Sequence, residues 1–127
     1  MTASCEALAR RVCEGWHHFR EDDYREVFAE GCIYQNMPIP GVQRGPDAIA
    51  ATLAALGGGY DIELRIDNLV ATTERVMVER TEFFTPRTGG DPFNLPVVGV
   101  FEAAQGQIQA WRDYFHFDPQ QWATEAT

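Results

Sequence analysis

Three ionisable side chains fall where strand alternation should point apolar groups at a core. In Val76-Met77-Val78-Glu79-Arg80-Thr81-Glu82-Phe83-Phe84, the two-residue period puts Arg80 and Glu82 on the face of Val76, Val78 and Phe84. In the run from Gln109 to Phe117 it groups Asp113 with Trp111, Phe115 and Phe117. A charge facing a core is costly unless paired, so two acids and a base on inward faces predict a carboxylate-Arg-carboxylate network lining a pocket. That set suits general acid–base chemistry: a desolvated carboxyl stays neutral and gives a proton, while one fed by hydrogen-bond donors stays ionised and takes one. The forked guanidinium can orient both. The plainer reading of Arg80 and Glu82 is a surface ion pair, because the doublet Phe83-Phe84 blurs the face assignment. For Asp113 it is a structural buried acid, which is destabilising without partners.

The rest of the chain must position these strands, and it reads as helices followed by hairpins. Leu8, Val12, Trp16 and Phe19 recur at three- and four-residue steps and predict a helix from Ser4 to Phe19. Asp22 or Asp23 caps a second, short helix through Phe28, closed by Gly31. A brief strand from Cys32 to Met37 follows. Pro38 and Pro40 lack donors and stop it, and Gly45-Pro46-Asp47 opens a helix over Ala48 to Leu56 that ends at Gly57-Gly58-Gly59. Tyr60 to Ala71 pairs with Val76 to Thr85, and Asn94 to Ala103 pairs with Gln107 to Phe117. Arg87 to Pro92 is a loop, and Pro119 starts a last helix carrying Trp122. The expected class is α+β: one domain over 1–127 with a curved, mostly antiparallel sheet wrapped around N-terminal helices and a deep apolar pocket.

Composition narrows the function. The chain has 127 residues, 45% of them hydrophobic and 12% aromatic, enough for one core. Its net charge of −9, with ten basic residues that form no block, argues against nucleic acid and anionic membranes. No apolar run approaches the roughly 18 residues of a membrane helix. Cys5, Cys13 and Cys32 form no framework spacing and no signal segment is evident, so reduced thiols and a cytoplasmic location are expected.

Tyr34-Gln35-Asn36-Met37-Pro38, Glu79-Arg80-Thr81-Glu82, the run from Asn94 to Glu102, Gly106-Gln107-Ile108 and Trp111-Arg112-Asp113-Tyr114-Phe115 occur in an order and spacing that resembles the limonene-1,2-epoxide hydrolase family. That family belongs to the cone-shaped superfamily of nuclear transport factor 2, ketosteroid isomerase and SnoaL-like polyketide cyclases. The resemblance covers about Cys5 to Phe117. It implies one-step hydrolysis of a small lipophilic epoxide, with water held by Tyr34, Asn36 and Asp113, with Arg80 bridging two carboxyl groups, and with Glu82 protonating the epoxide oxygen. It also implies a homodimer through the outer sheet face, where alternation places Ile108 and Tyr114. Met37, Leu56, Phe84, Leu95, Phe101 and Trp111 are the candidates for shaping the substrate pocket. Two positions depart from the family pattern. Glu82 stands where the family has Asp, longer by one methylene, about 1.5 Å of reach. His116 replaces a usual acid on the face away from Asp113.

Other features carry less. Taken alone, Tyr34 and Asn36 read as loop caps. The helical neighbours His17 and His18 point about 100° apart and chelate one metal poorly. Cys32 shares the Tyr34 face, but no neighbour in sequence marks it as a thiolate. The glycine triplet ends a helix and has no following Lys, so it is no phosphate cradle. No metal or organic cofactor is expected, because no ligand set has usable spacing. Two other functions fit the layout: a proton-shuttling isomerase or cyclase, and a non-catalytic binding module.

Overall fold

The computed structural model describes residues 3–118. In chain order it has α1 (Cys5–Gly15), a 3₁₀ turn (Trp16–His18), α2 (Glu21–Val27), β1 (Phe28–Asn36), β2 (Gln43–Arg44), α3 (Gly45–Gly59), β3 (Tyr60–Ala71), β4 (Arg75–Pro86), β5 (Phe93–Ala104) and β6 (Gln107–Phe115). The Ser4 hydroxyl accepts from the Ala7 N–H at 3.0 Å and caps α1. The apolar stripe of α1 then buries Leu8, Val12 and their neighbours against the sheet. The expected helix through Phe19 instead changes at Gly15, whose φ and ψ of −162° and 24° are not helical, and a tight turn buries Trp16.

The second helix starts earlier than expected: its N-cap is Arg20, and Asp22 and Asp23 lie inside the first turn, where the Asp23 carboxylate reaches back to accept the Arg20 N–H at 2.7 Å. It does not close at Gly31. Phe28 is fully buried and stacks on Trp111 with centroids 5.9 Å apart, which draws the chain into β1 three residues earlier. Gly31 lies within the register irregularity of β1 between Phe28 and Ile33, a place where strand glycines recur. Gln43–Arg44 forms an edge strand that the sequence reading missed. The helix α3 runs through the glycine triplet, because Arg87 Nε donates to the Gly57 carbonyl at 3.1 Å and the Arg87 N–H to that of Gly59 at 3.0 Å.

One six-stranded curved sheet has the order β2-β1-β6-β5-β4-β3. Every pairing is antiparallel except β1 with β6, so the mostly antiparallel expectation holds with one parallel joint. The β5–β6 reversal uses Gln105 and Gly106 at φ of 56° and 78°, the left-handed pair of a tight hairpin. The helix α1 lies across β3 to β6, and α3 packs on β1, β2 and β3, so the concave face becomes the core. One alternation expectation fails. A bulge between Glu102 and Ala103 shifts the pairing, and Ile108, expected on the outer face with Tyr114, is fully buried. The sixth strand ends at Phe115, short of Phe117, and the helix expected from Pro119 lies outside the described residues. Among the described residues no helix is long and apolar enough to cross a membrane.

Candidate active site

Burial alternates without a fault from Val76 through Val78, Arg80 and Glu82 to Phe84, so β4 places both charged residues on the concave face as the sequence reading expects. Arg80 is 2% exposed, Glu82 6% and Asp113 3%, which rules out a surface ion pair. Asp113 reaches Arg80 from two strands away. Its Oδ1 lies 3.1 Å from Nη1 and its Oδ2 2.7 Å from Nη2, a bidentate pair spanning β5. Glu82 takes the other edge of the guanidinium, with Oε2 at 2.9 Å from both Nε and Nη2. The longer acid at this position therefore still closes on Arg80. Trp111 completes the cluster by donating from Nε1 to Asp113 Oδ1 at 2.7 Å.

The parallel joint supplies the remaining groups. The pairing of β1 with β6 sets Tyr34 beside Trp111 and Asn36 beside Asp113. The Tyr34 and Trp111 rings stack at 4.0 Å, and the Tyr34 hydroxyl donates to Asn36 Oδ1 at 3.1 Å. Both residues thus sit on a strand, not in loop caps.

The two acids receive unequal support. Three N–H donors converge on Asp113. Glu82 takes its Arg80 contacts on a single oxygen, and burial, with the charge of Asp113 adding to it, raises its pKa despite the opposing pull of Arg80. Burial also holds the Tyr34 hydroxyl well above its ordinary value, helped by both acids, so the phenol keeps its proton. Burial alone would lower Arg80, but the two carboxylates outweigh it and hold the guanidinium charged.

The raised Glu82 has a thermodynamic consequence. Folded protein retains that proton at pH values where the unfolded chain, titrating near 4.5, has lost it. Stability should therefore fall as pH rises from 4.5 through the raised folded value. Urea midpoints across that range should show a downward slope that Glu82→Gln removes; an unchanged slope in the variant would refute the assignment.

Arg80, Glu82, Asp113, Trp111, Tyr34 and Asn36 line one cavity of about 570 Å³, with Trp16, Leu53, Leu56, Tyr60, Phe84 and Leu95 among its largely apolar walls. Of the candidate pocket residues, Leu56, Phe84, Leu95 and Trp111 face it. Met37 and Phe101 do not. Met37 follows Asn36 on the opposite parity and is 37% exposed, while Phe101 is wholly buried behind Trp111 at 5.3 Å, with α1 laid over it. Trp16 and Leu53 were missed as lining residues because a helix stripe facing a cavity looks the same in sequence as one facing a solid core. Cys32 is buried and is not a cavity residue. Burial pushes Cys13 and Cys32 up to about 12, so both remain thiols. All three cysteines are free. His17 is half-buried against His18 at 4.1 Å, and among the described residues no cluster of three or more His, Cys, Asp or Glu side chains could hold a metal. His116 is exposed.

Helices cradled by a curved, unclosed sheet, with polar groups in the hollow, define the cone-shaped class named for nuclear transport factor 2. A protein of that class from Burkholderia pseudomallei K96243 superposes with a TM-score of 0.77 at 19% identity, covering 99% of each chain. A SnoaL-like protein from Jannaschia sp. CCS1 gives 0.77 at 21%, covering 93% of this chain and 88% of that one. At such identities the likeness speaks of fold alone. Residues 9–122 match the limonene-1,2-epoxide hydrolase catalytic domain, and the chain belongs to that family. It is 30% identical over 94 residues to epoxide hydrolase EphG of Mycobacterium tuberculosis (strain ATCC 25618 / H37Rv), a match covering 74% of this chain and only 61% of that protein's length. An M. tuberculosis LEH-like epoxide hydrolase structure superposes with a TM-score of 0.72 at 26% identity, covering 86% of this chain and 80% of that one.

Proposed function

We propose that the chain is an epoxide hydrolase that adds water to a small lipophilic epoxide and gives a vicinal diol in one step. The observation that carries this reading is the buried Glu82–Arg80–Asp113 bridge in the wall of an apolar cavity. Asp113 Oδ1 already accepts from Arg80 and Trp111, whereas Oδ2 takes one donor and keeps a lone pair for water. Water held by Asp113, Asn36 and Tyr34 gives its proton to Asp113 as its oxygen bonds to the ring carbon. The carbon–oxygen bond of the epoxide breaks, and Glu82 delivers its proton to the leaving oxygen. Exchange with solvent restores the two carboxyl groups. With one proton taken up by Asp113 and the other supplied by Glu82, the reaction needs neither metal nor organic cofactor, and no enzyme-bound ester forms.

The same reading gives the protein a cytoplasmic setting, where free thiols persist, and a homodimer through the outer sheet face, on which Met77 and Tyr114 are 48% and 44% exposed. Incubation with a terpene epoxide in oxygen-18 water tests the chemistry: one labelled oxygen per diol is the expected result. Solvent deuterium fixed at carbon without labelled oxygen would replace it with a proton-transfer isomerase. Tight ligand binding indifferent to Asp113→Asn, with no product, would replace it with a binding module.

A further inference from the structure

The middle of β5 carries a glycine with no backbone reason to be there. Gly99 pairs with Val78 on β4 and with Asp113 on β6, and its φ is outside the left-handed region that only glycine adopts easily. Glycine within a strand is unfavourable relative to Ala, and it often marks a close approach by another group. Here that group is the ion pair. A Cβ at Gly99 would lie 2.7 Å from Arg80 Nη1, 2.9 Å from Asp113 Oδ1 and 3.2 Å from Phe101 Cε2.

A flexible tip often swings clear of an added methyl, but these tips are pinned. Arg80 is held by bonds to both carboxylates and Asp113 by Trp111, while Phe101 is fully buried. Arg80 springs from β4 and Asp113 from β6, so their bond must pass over β5, and it passes where β5 has no side chain. We propose that Gly99 is a positioning residue: a window in β5 that sets the contact between guanidinium and base, and through it the aim of Asp113 at water. The kinetic consequence rests on the hydrolase reading above; the structural coupling does not.

The test is Gly99→Ala in the native chain and in an Asp113→Ala background, which retains the Arg80–Glu82 pair. Gly99 is not part of the cavity wall, so kcat should fall about a hundredfold with KM unchanged, the size of effect produced by a misplacement near 1 Å. The urea midpoint should drop in the native background and stay level or rise in the Asp113→Ala background. Folding only in the latter background is the same result in stronger form. Equal midpoint losses in both backgrounds, failure to fold in both, or a native kcat in Gly99→Ala would overturn the proposal. If the native chain opens no epoxide, the hydrolase reading fails while the midpoint comparison still decides the role of Gly99.

Discussion

Replacing Asp113 with Asn is expected to lower epoxide turnover by about a thousandfold while leaving the protein folded. Part of the loss is chemical, because the amide cannot take a proton from water. The rest is geometric. Asp113 offers acceptors to Arg80 Nη1, Arg80 Nη2 and Trp111 Nε1, whereas an amide has one acceptor oxygen and must turn its own N–H groups toward at least one of those donors. The side chain should therefore rotate, and Arg80 should close on Glu82 alone. Single-turnover kinetics with one terpene epoxide, alongside near-ultraviolet circular dichroism to verify packing, measures the effect. Turnover within tenfold of native would remove Asp113 from the chemistry. Adding Glu82→Gln to the variant should cost little more, since groups that act as a unit lose their effect together.

The sequence made some of this visible and hid the rest for reasons that can be named. Arg80 and Glu82 were legible because burial alternates along the whole of β4, the irregularity in its pairing with β3 falling on the β3 side between Ile66 and Asn68, so parity carries directly to burial. Parity failed at Ile108 because the bulge near Ala103 adds a residue to one strand and turns the face over. It misled at Phe101 for another reason: the residue faces the concave side as expected, but α1 covers that end of the sheet, and the alternation of one strand says nothing about what lies above it. The meeting of Tyr34 with Trp111 depends on a parallel joint between strands more than 70 positions apart, which no local pattern encodes. Gly99 was present as a signal, a glycine inside a valine-rich strand, but its meaning needed the register of three strands. The family resemblance supplied the grouping of Tyr34 and Asn36, which the residues alone left as loop caps, with the inward-facing Asp113.

The largest effect on stability should come from Arg80→Met. The cation lies between two buried acids, and removing one member of a buried ionic set costs about 3–5 kcal/mol because it strands the charge that remains. Methionine fills much of the aliphatic volume, so the loss reports charge more than a cavity. The two acids would then face each other in an apolar wall with nothing between them, and the pair would hold a proton to higher pH than in the native chain. Folded protein would thus bind a proton that unfolded chain has released, and the deficit relative to native should widen as pH rises. Denaturation midpoints at pH 5 and pH 8 measure this directly: the gap between native and Arg80→Met should be the larger at pH 8, with turnover lost at both. Equal stability of the two chains across that range would mean that the three side chains do not act as one electrostatic unit. Neutralising the acids as well, through Glu82→Gln and Asp113→Asn in the same chain, should recover most of the lost stability without recovering activity. What should destabilise the variant is unpaired charge in a buried, largely apolar wall, and on the hydrolase reading proposed above the same charge, paired, is what moves the protons.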